Sequence, residues 1–308
     1  MDVQITPACV SFVMRRFTLA LFLFALPLFA DQQFTSSDGV TLHYHTIGKG
    51  TPVIVLSGGP GMTVEYMEPV GRVVSKHAKA VMLEQRGTGN SALQTYDPTT
   101  ITVAKVVEDI DALRTHLGLD KITLLGHSWG GMLAMAYAAA HPDRVAKLVL
   151  VEPGGPTLDF AEGFGKRLEA NYTTEDLDGL AYWRDAERKK ANPRHATAEA
   201  LRVKTPAYFA DRRKAREFVK LINDKSYDSR VNSVLFADMR KSFDLRNGLH
   251  NVTAPVFIVQ SRQDPVQATD DITAAMPHAK VLWIDHAGHY PWIEQPAAFA
   301  RAIAASLR

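Results

Sequence analysis

A short, wholly apolar run at 52–56 is repeated approximately along the chain, between stretches in which apolar positions return every three or four residues. The runs at 52–56, 80–83, 121–125, 145–151, 254–260 and 280–284 read as strands covered on both faces, because a strand with one wet face would alternate. Between them, 64–76, 103–117, 132–140, 269–276 and 296–307 carry the helical period. Ahead of the first run, 34–37 and 40–46 flank Asp38-Gly39, the signal of a hairpin with a primed turn. Strand and helix in alternation predict an α/β fold, a mostly parallel twisted sheet with helices on both faces.

One stretch breaks the alternation. From 155 to 251 there is no buried-strand pattern, and charge, aromatics and helix formers dominate, as at 177–190 and 206–224. Both ends of this stretch fall next to strands, which predicts a helical cap inserted into a core made of 31–154 and 252–308. An insertion at the carboxyl end of a parallel sheet lies over the crevice where such sheets bind ligands. The alternative is a helical arm that contacts another subunit.

Residues 1–30 are expected to lie outside the fold. Arg15 and Arg16 precede an apolar segment, 17–29, that is short for a membrane span, and Ala30 comes before polar Asp31-Gln32-Gln33. This reads as a secretory signal, with a periplasmic or secreted product that has no stable membrane span. An uncleaved anchor is the alternative, and Met14 offers a second start. The sole cysteine, Cys9, falls in that segment, so the remainder has neither a disulfide nor a thiol nucleophile. The formal charge of +2, with both signs interspersed, points to no nucleic acid and no anionic membrane.

Against this background, Gly126-His127-Ser128-Trp129-Gly130-Gly131 sits between a strand and a helix pattern, the context a nucleophile elbow requires. A serine hydroxyl becomes a useful nucleophile only on a sharp turn, within reach of a base and beside free backbone N–H groups. A plain glycine-rich turn is the bland alternative. After the run 254–260 comes Asp264, suited to orient a histidine, although aspartate before proline is also a common turn residue. After 280–284 come His286 and His289; His289, preceded by Gly288, is the better base. The order Ser128, Asp264, His289 is the one expected of this hydrolase architecture. A His286/His289 metal pair finds no third ligand, so no metal is expected. His43 and His45 share a strand face and read as surface or packing residues. Oxyanion donors are expected at the backbone N–H groups of Trp129 and Gly59, the latter in the loop Ser57-Gly58-Gly59-Pro60-Gly61.

With these parts assembled the chain resembles the α/β-hydrolase superfamily and, within it, the proline iminopeptidase-like serine peptidases. The resemblance rests on Gly58-Gly59-Pro60-Gly61, Glu84-Gln85-Arg86-Gly87-Thr88-Gly89-Asn90-Ser91, the elbow, and Gly288-His289 followed by Pro291 and Glu294. It implies release of an N-terminal residue, often proline, by acyl transfer through Ser128, with no metal or organic cofactor. Ser57 and Glu84 depart from the family's usual histidine and aspartate, and the cap does not align clearly. Recognition of a free amino terminus would call for cap carboxylates, for which Glu162, Glu169, Glu199, Asp211 and Glu217 are candidates. The rivals are a carboxylesterase or other small-molecule hydrolase with a carboxylate-free pocket, and a non-catalytic ligand-binding member of the fold. In each case the partner is a small peptide, ester or amide.

Overall fold

One eight-stranded sheet organises the chain, and the structure, a computed structural model, describes residues 31–308. The expected export segment 1–30, with Cys9, lies outside the described residues. The strands are β1 (Gln32–Thr35), β2 (Thr41–Ile47), β3 (Pro52–Leu56), β4 (Lys79–Glu84), β5 (Ile122–His127), β6 (Val145–Val151), β7 (Val256–Ser261) and β8 (Lys280–Ile284). Their order across the sheet is β1-β2-β4-β3-β5-β6-β7-β8. β2 pairs antiparallel with β1 and β4, and every other neighbouring pair is parallel.

The continuous apolar runs are explained by the two layers that cover this sheet. Ile54, Leu56, Leu124, Leu148 and Ile258 face a cluster that includes residues of the helices Val103–His116 and Trp129–Ala140. Their chain neighbours Val53, Val55, Leu125, Val149 and Val259 point the opposite way, toward Glu68–Val74 and Pro296–Leu307. The sheet changes its direction of growth at β3: β4 is added on one side of it and β5 on the other. The crevice at such a point opens at the carboxyl ends of the strands.

Several elements differ from expectation, each for a local reason. The turn between β1 and β2 is not a two-residue primed turn. Ser36 N–H donates to Val40 O at 2.8 Å, and only Gly39 has positive φ, 83°, which makes a three-residue loop. Asp38 there is held by Arg86 and Lys105. The stretch 64–76 is split into a 3-10 turn, Val64–Met67, and the helix Glu68–Val74, with Pro69 in the first turn, where its missing N–H is harmless. The stretch 177–190 breaks at Asp185, whose extended backbone and side-chain cap on the Arg188 N–H end one helix, Thr174–Arg184, and start another, Ala186–Ala191. Within 206–224 only Ala215–Leu221 is α-helical. His43 and His45 are not idle surface groups: His43 pairs with Asp31, and His45 with buried Glu84 at 2.5 Å.

Between β6 and β7 the chain is helical, running through Phe160–Ala170, Thr174–Arg184, Pro193–Lys204 and Ser229–Ser242. No helix among the described residues is long and apolar enough to cross a membrane.

Candidate active site

β5 extends through His127, and the helix Trp129–Ala140 begins one residue after Ser128. Ser128 therefore carries the whole reversal, with φ 56° and ψ −117°, a region that L-residues adopt only when the surroundings enforce it. The enforcement is visible in the neighbours. Ser128 N–H donates to Val151 O at 3.0 Å, and Ser128 O accepts from Gly131 and Met132 N–H. A Cβ on Gly126 would lie 2.0 Å from Gly130 O, and one on Gly130 2.3 Å from Leu56 O, so only glycine fits at either position.

Asp264 and His289 come from the loops after β7 and β8 and meet behind this turn. His289 Nδ1–H donates to Asp264 Oδ2 at 2.9 Å and to Oδ1 at 3.0 Å, which leaves Nε2 as the ring's acceptor. Both side chains are buried, Asp264 completely. Burial holds the His289 imidazole well below its ordinary pKa, with the positive charge of Lys204 acting in the same direction, so the ring is neutral and can take a proton. His289 and Ser128 line one cavity of 590 Å³. His286, the rival base, is exposed, and its carbonyl accepts from the Gln295 side chain.

A carboxylate that the sequence pattern did not single out lies beside Asp264. Glu152, at the end of β6, is fully buried with φ 45°. It accepts from Ser261 N–H at 2.9 Å and from Gln260 Nε2 at 2.8 Å, and Gln260 Nε2 also reaches Asp264 Oδ2 at 3.3 Å. Burial, and then the charge of Asp264, raises the Glu152 carboxyl well above the usual carboxylate range. Burial raises Asp264 as well, against the hydrogen bonds from Glu152, Val266 N–H and Gln260. Two like charges in one buried site do not both ionise, and Asp264 has the imidazole and the Val266 N–H to serve its charge. The proton of the pair therefore sits on Glu152.

The backbone N–H groups of Gly59 and Trp129 have no acceptor among the described residues, and both residues line the cavity. Three side chains, Gln85, Tyr66 and His127, hold their loops in place. Gln85 Nε2 donates to Ser57 O at 2.8 Å, while its Oε1 accepts from the Trp129 indole at 2.9 Å. Gly58 N–H donates to the Tyr66 hydroxyl, Tyr66 O–H to His127 Nδ1 at 2.7 Å, and His127 Nε2–H to His289 O at 3.0 Å. Burial, with His289 contributing, keeps His127 neutral, as these two roles require. The chain joins the glycine loop to the histidine loop. Ser57, where the resembled family has histidine, donates to Met62 O and closes its own loop.

The far wall of the cavity is helical and mostly apolar, with Phe160, Phe164, Phe236 and Met239 among its residues. None of the five candidate carboxylates reaches it. Glu162 pairs with Lys166, Glu199 with Arg202, Asp211 with Arg213 and Glu217 with Lys220, and Glu169 is exposed. Charged residues of a helix turn to water and to their i+3 or i+4 partners unless packing forbids it. The lining instead holds Arg184, Lys189 and Lys204, a signal the sequence hid among many other basic residues. Away from the cavity, Asp31, His45 and Glu84 bring donor atoms within 4.8 Å of one another, but Glu84 is already engaged by His45 and by Asn90.

Geometrically, then, the crevice offers a strained serine, a neutral imidazole oriented by a carboxylate, and two free N–H groups. The profile of the alpha/beta hydrolase fold family matches residues 51–296. A proline iminopeptidase of Lactobacillus acidophilus is 36% identical over 135 residues, which is 42% of this chain and 45% of that protein. The chain thus spans under half the length of that relative. A proline iminopeptidase of Heyndrickxia coagulans is 27% identical over 83% of this chain and 90% of its own. Among solved structures, an alpha/beta fold family hydrolase of Bacillus anthracis superposes with a TM-score of 0.71 at 20% identity, covering 90% of this chain and 99% of that one.

Proposed function

Because the chain belongs to the alpha/beta hydrolase fold family, we propose that it is a serine hydrolase working through an acyl-enzyme on Ser128. The observation that carries this reading is the strained presentation of Ser128 in a cavity it shares with a buried, neutral His289 bonded to Asp264. In the proposed cycle Ser128 Oγ attacks a carbonyl, and His289 Nε2 accepts its proton. Asp264 keeps the ring's tautomer and steadies the imidazolium. The N–H groups of Gly59 and Trp129 receive the charge that develops on the carbonyl oxygen. His289 then protonates the leaving group, and water releases the acyl chain by the same route.

For the substrate, the lining favours a small ester or a related acyl compound. A free amino terminus carried into a partly dry cavity requires a carboxylate partner, and the lining has none. The similarity to the Heyndrickxia coagulans proline iminopeptidase favours a second reading, release of an N-terminal residue such as proline. The two separate in one experiment on purified protein: p-nitrophenyl esters beside proline β-naphthylamide and its amino-blocked form. Ester cleavage without amide cleavage supports the first reading, and cleavage of the free-amine amide alone supports the second. Under either, Ser128→Ala should lower kcat by about 10⁴-fold or more while leaving the unfolding transition in place. Turnover that survives this change removes the serine mechanism.

A further inference from the structure

Lys204 ends the helix Pro193–Lys204 and lines the cavity, half-buried. Other cations of the helical segment have carboxylate partners: Arg202 has Glu199, Arg212 has Asp176, and Lys220 has Glu217. Lys204 has none among the described residues, and the cavity lining contains no aspartate or glutamate to supply one. What it has is an aromatic neighbour, with Nζ 5.3 Å from the centre of the Tyr208 ring, whose centre is in turn 5.3 Å from that of His289. This puts the ammonium on the side of the cavity where the proposed reaction takes place. Arg184 and Lys189, both exposed, add positive charge to the same lining, and Thr197 adds a neutral hydroxyl.

A half-buried ammonium with no counter-ion is costly, and the cost is recovered when an anion arrives. Burial and the nearby Arg184 lower the pKa of Lys204, the change such a vacancy produces and a bound anion reverses. The helical wall beside it is mostly apolar, with Phe160, Phe164, Leu201, Phe236 and Met239, so the fitting ligand has a hydrocarbon body and one charged end.

We propose that Lys204, with Arg184 and Lys189, forms a subsite for a carboxylate carried by the substrate, so that the preferred substrates are half-esters of small dicarboxylic acids or their close relatives. This rests on the serine-hydrolase reading above and sharpens it. The same subsite repels the α-ammonium of a peptide.

Matched esters test it: p-nitrophenyl hemisuccinate, hemiglutarate and hemiadipate against the butyrate, valerate and hexanoate. The wild-type protein should prefer the charged member of at least one pair by about tenfold or more in kcat/KM. Lys204→Met should reduce that preference about tenfold, and Lys204→Arg should keep part of it. Glutarate binding to Ser128→Ala, read by calorimetry, should weaken by a similar factor when Lys204→Met is added. Thermal unfolding of each variant checks that it is folded. Esters cleaved without preference for charge, or glutarate bound equally with and without Lys204, overturn the subsite and leave the serine mechanism standing. No ester turnover, together with glutarate binding that depends on Lys204, overturns the mechanism and leaves the subsite standing.

Discussion

Glu152 and Asp264 put two carboxyl groups into one buried site behind His289, and only one of them has an imidazole to balance its charge. The folded-state pKa of Glu152 is raised above its unfolded value, so its contribution to stability is fully present below about pH 4.5 and is lost as pH rises toward the folded value. Each pH unit in that window is worth about 1.4 kcal/mol. Glu152→Gln keeps the shape and removes the titration. It should match the wild type in stability near pH 4 and exceed it increasingly above pH 5, readable as a Tm gain of about 2–4 °C per kcal/mol. A Tm difference that does not vary with pH would show that Glu152 is already ionised in the folded protein.

At the scale of elements, the histidine loop and the helical segment are fastened to each other by Glu294, on the short helix Pro291–Glu294. Its buried carboxylate accepts Gly288 N–H at 2.6 Å, Asp211 N–H at 2.9 Å and Ala210 N–H at 3.3 Å. His289 N–H donates to Tyr208 O at 2.8 Å, which closes the joint. This explains why the middle of 206–224 is not helical, since the N–H groups of Ala210 and Asp211 are spent on Glu294 rather than on their own helix. Glu294→Ala strands the buried Gly288 N–H and the partly buried N–H groups of Ala210 and Asp211, and should cost about 1–3 kcal/mol in urea unfolding. It should also lower kcat/KM, because the imidazole loses the frame that aims it. Glu294→Gln retains an acceptor and should lose less of both. Equal behaviour of the two variants would deny the carboxylate this role.

At the scale of the whole molecule, Arg86, in one of the segments that carry the family resemblance, is a buried tie between layers. Its guanidinium is 1% exposed and binds Asp109 on the helix Val103–His116 and Asp38 in the β1–β2 loop. It thereby ties the edge hairpin to one covering layer of the sheet, while its neighbour Gln85 ties the loop 57–61 to Trp129. Asp109→Ala leaves a buried cation without its nearest charge and should cost about 3–5 kcal/mol, a Tm fall of about 10 °C. Asp38, partly exposed, should cost clearly less on the same change. Comparable losses in thermal unfolding would argue against burial as the reason.

What could be read from the sequence alone was local. The strands over 52–56 and 145–151 are largely apolar because most of their length is covered on both faces, and their limits coincide with β3 and β6. The elbow was legible because its glycines and flanking elements lie within about a dozen residues, the range over which sterics and backbone hydrogen bonding act. Where local rules compete, sequence reasoning failed: Asp185 and Pro69 broke helices that periodicity had made continuous. Only the tertiary structure could decide matters that depend on which face of an element is buried. It put His289 inside and His286 in water, left the five candidate carboxylates out of the cavity lining, and set Glu152 beside Asp264 across 112 residues of chain. It also chose Lys204 from among many basic residues to line the cavity. A charge on a helix carries no mark of the direction it will face; packing against distant elements assigns it, and with it the chemistry the cavity can accept.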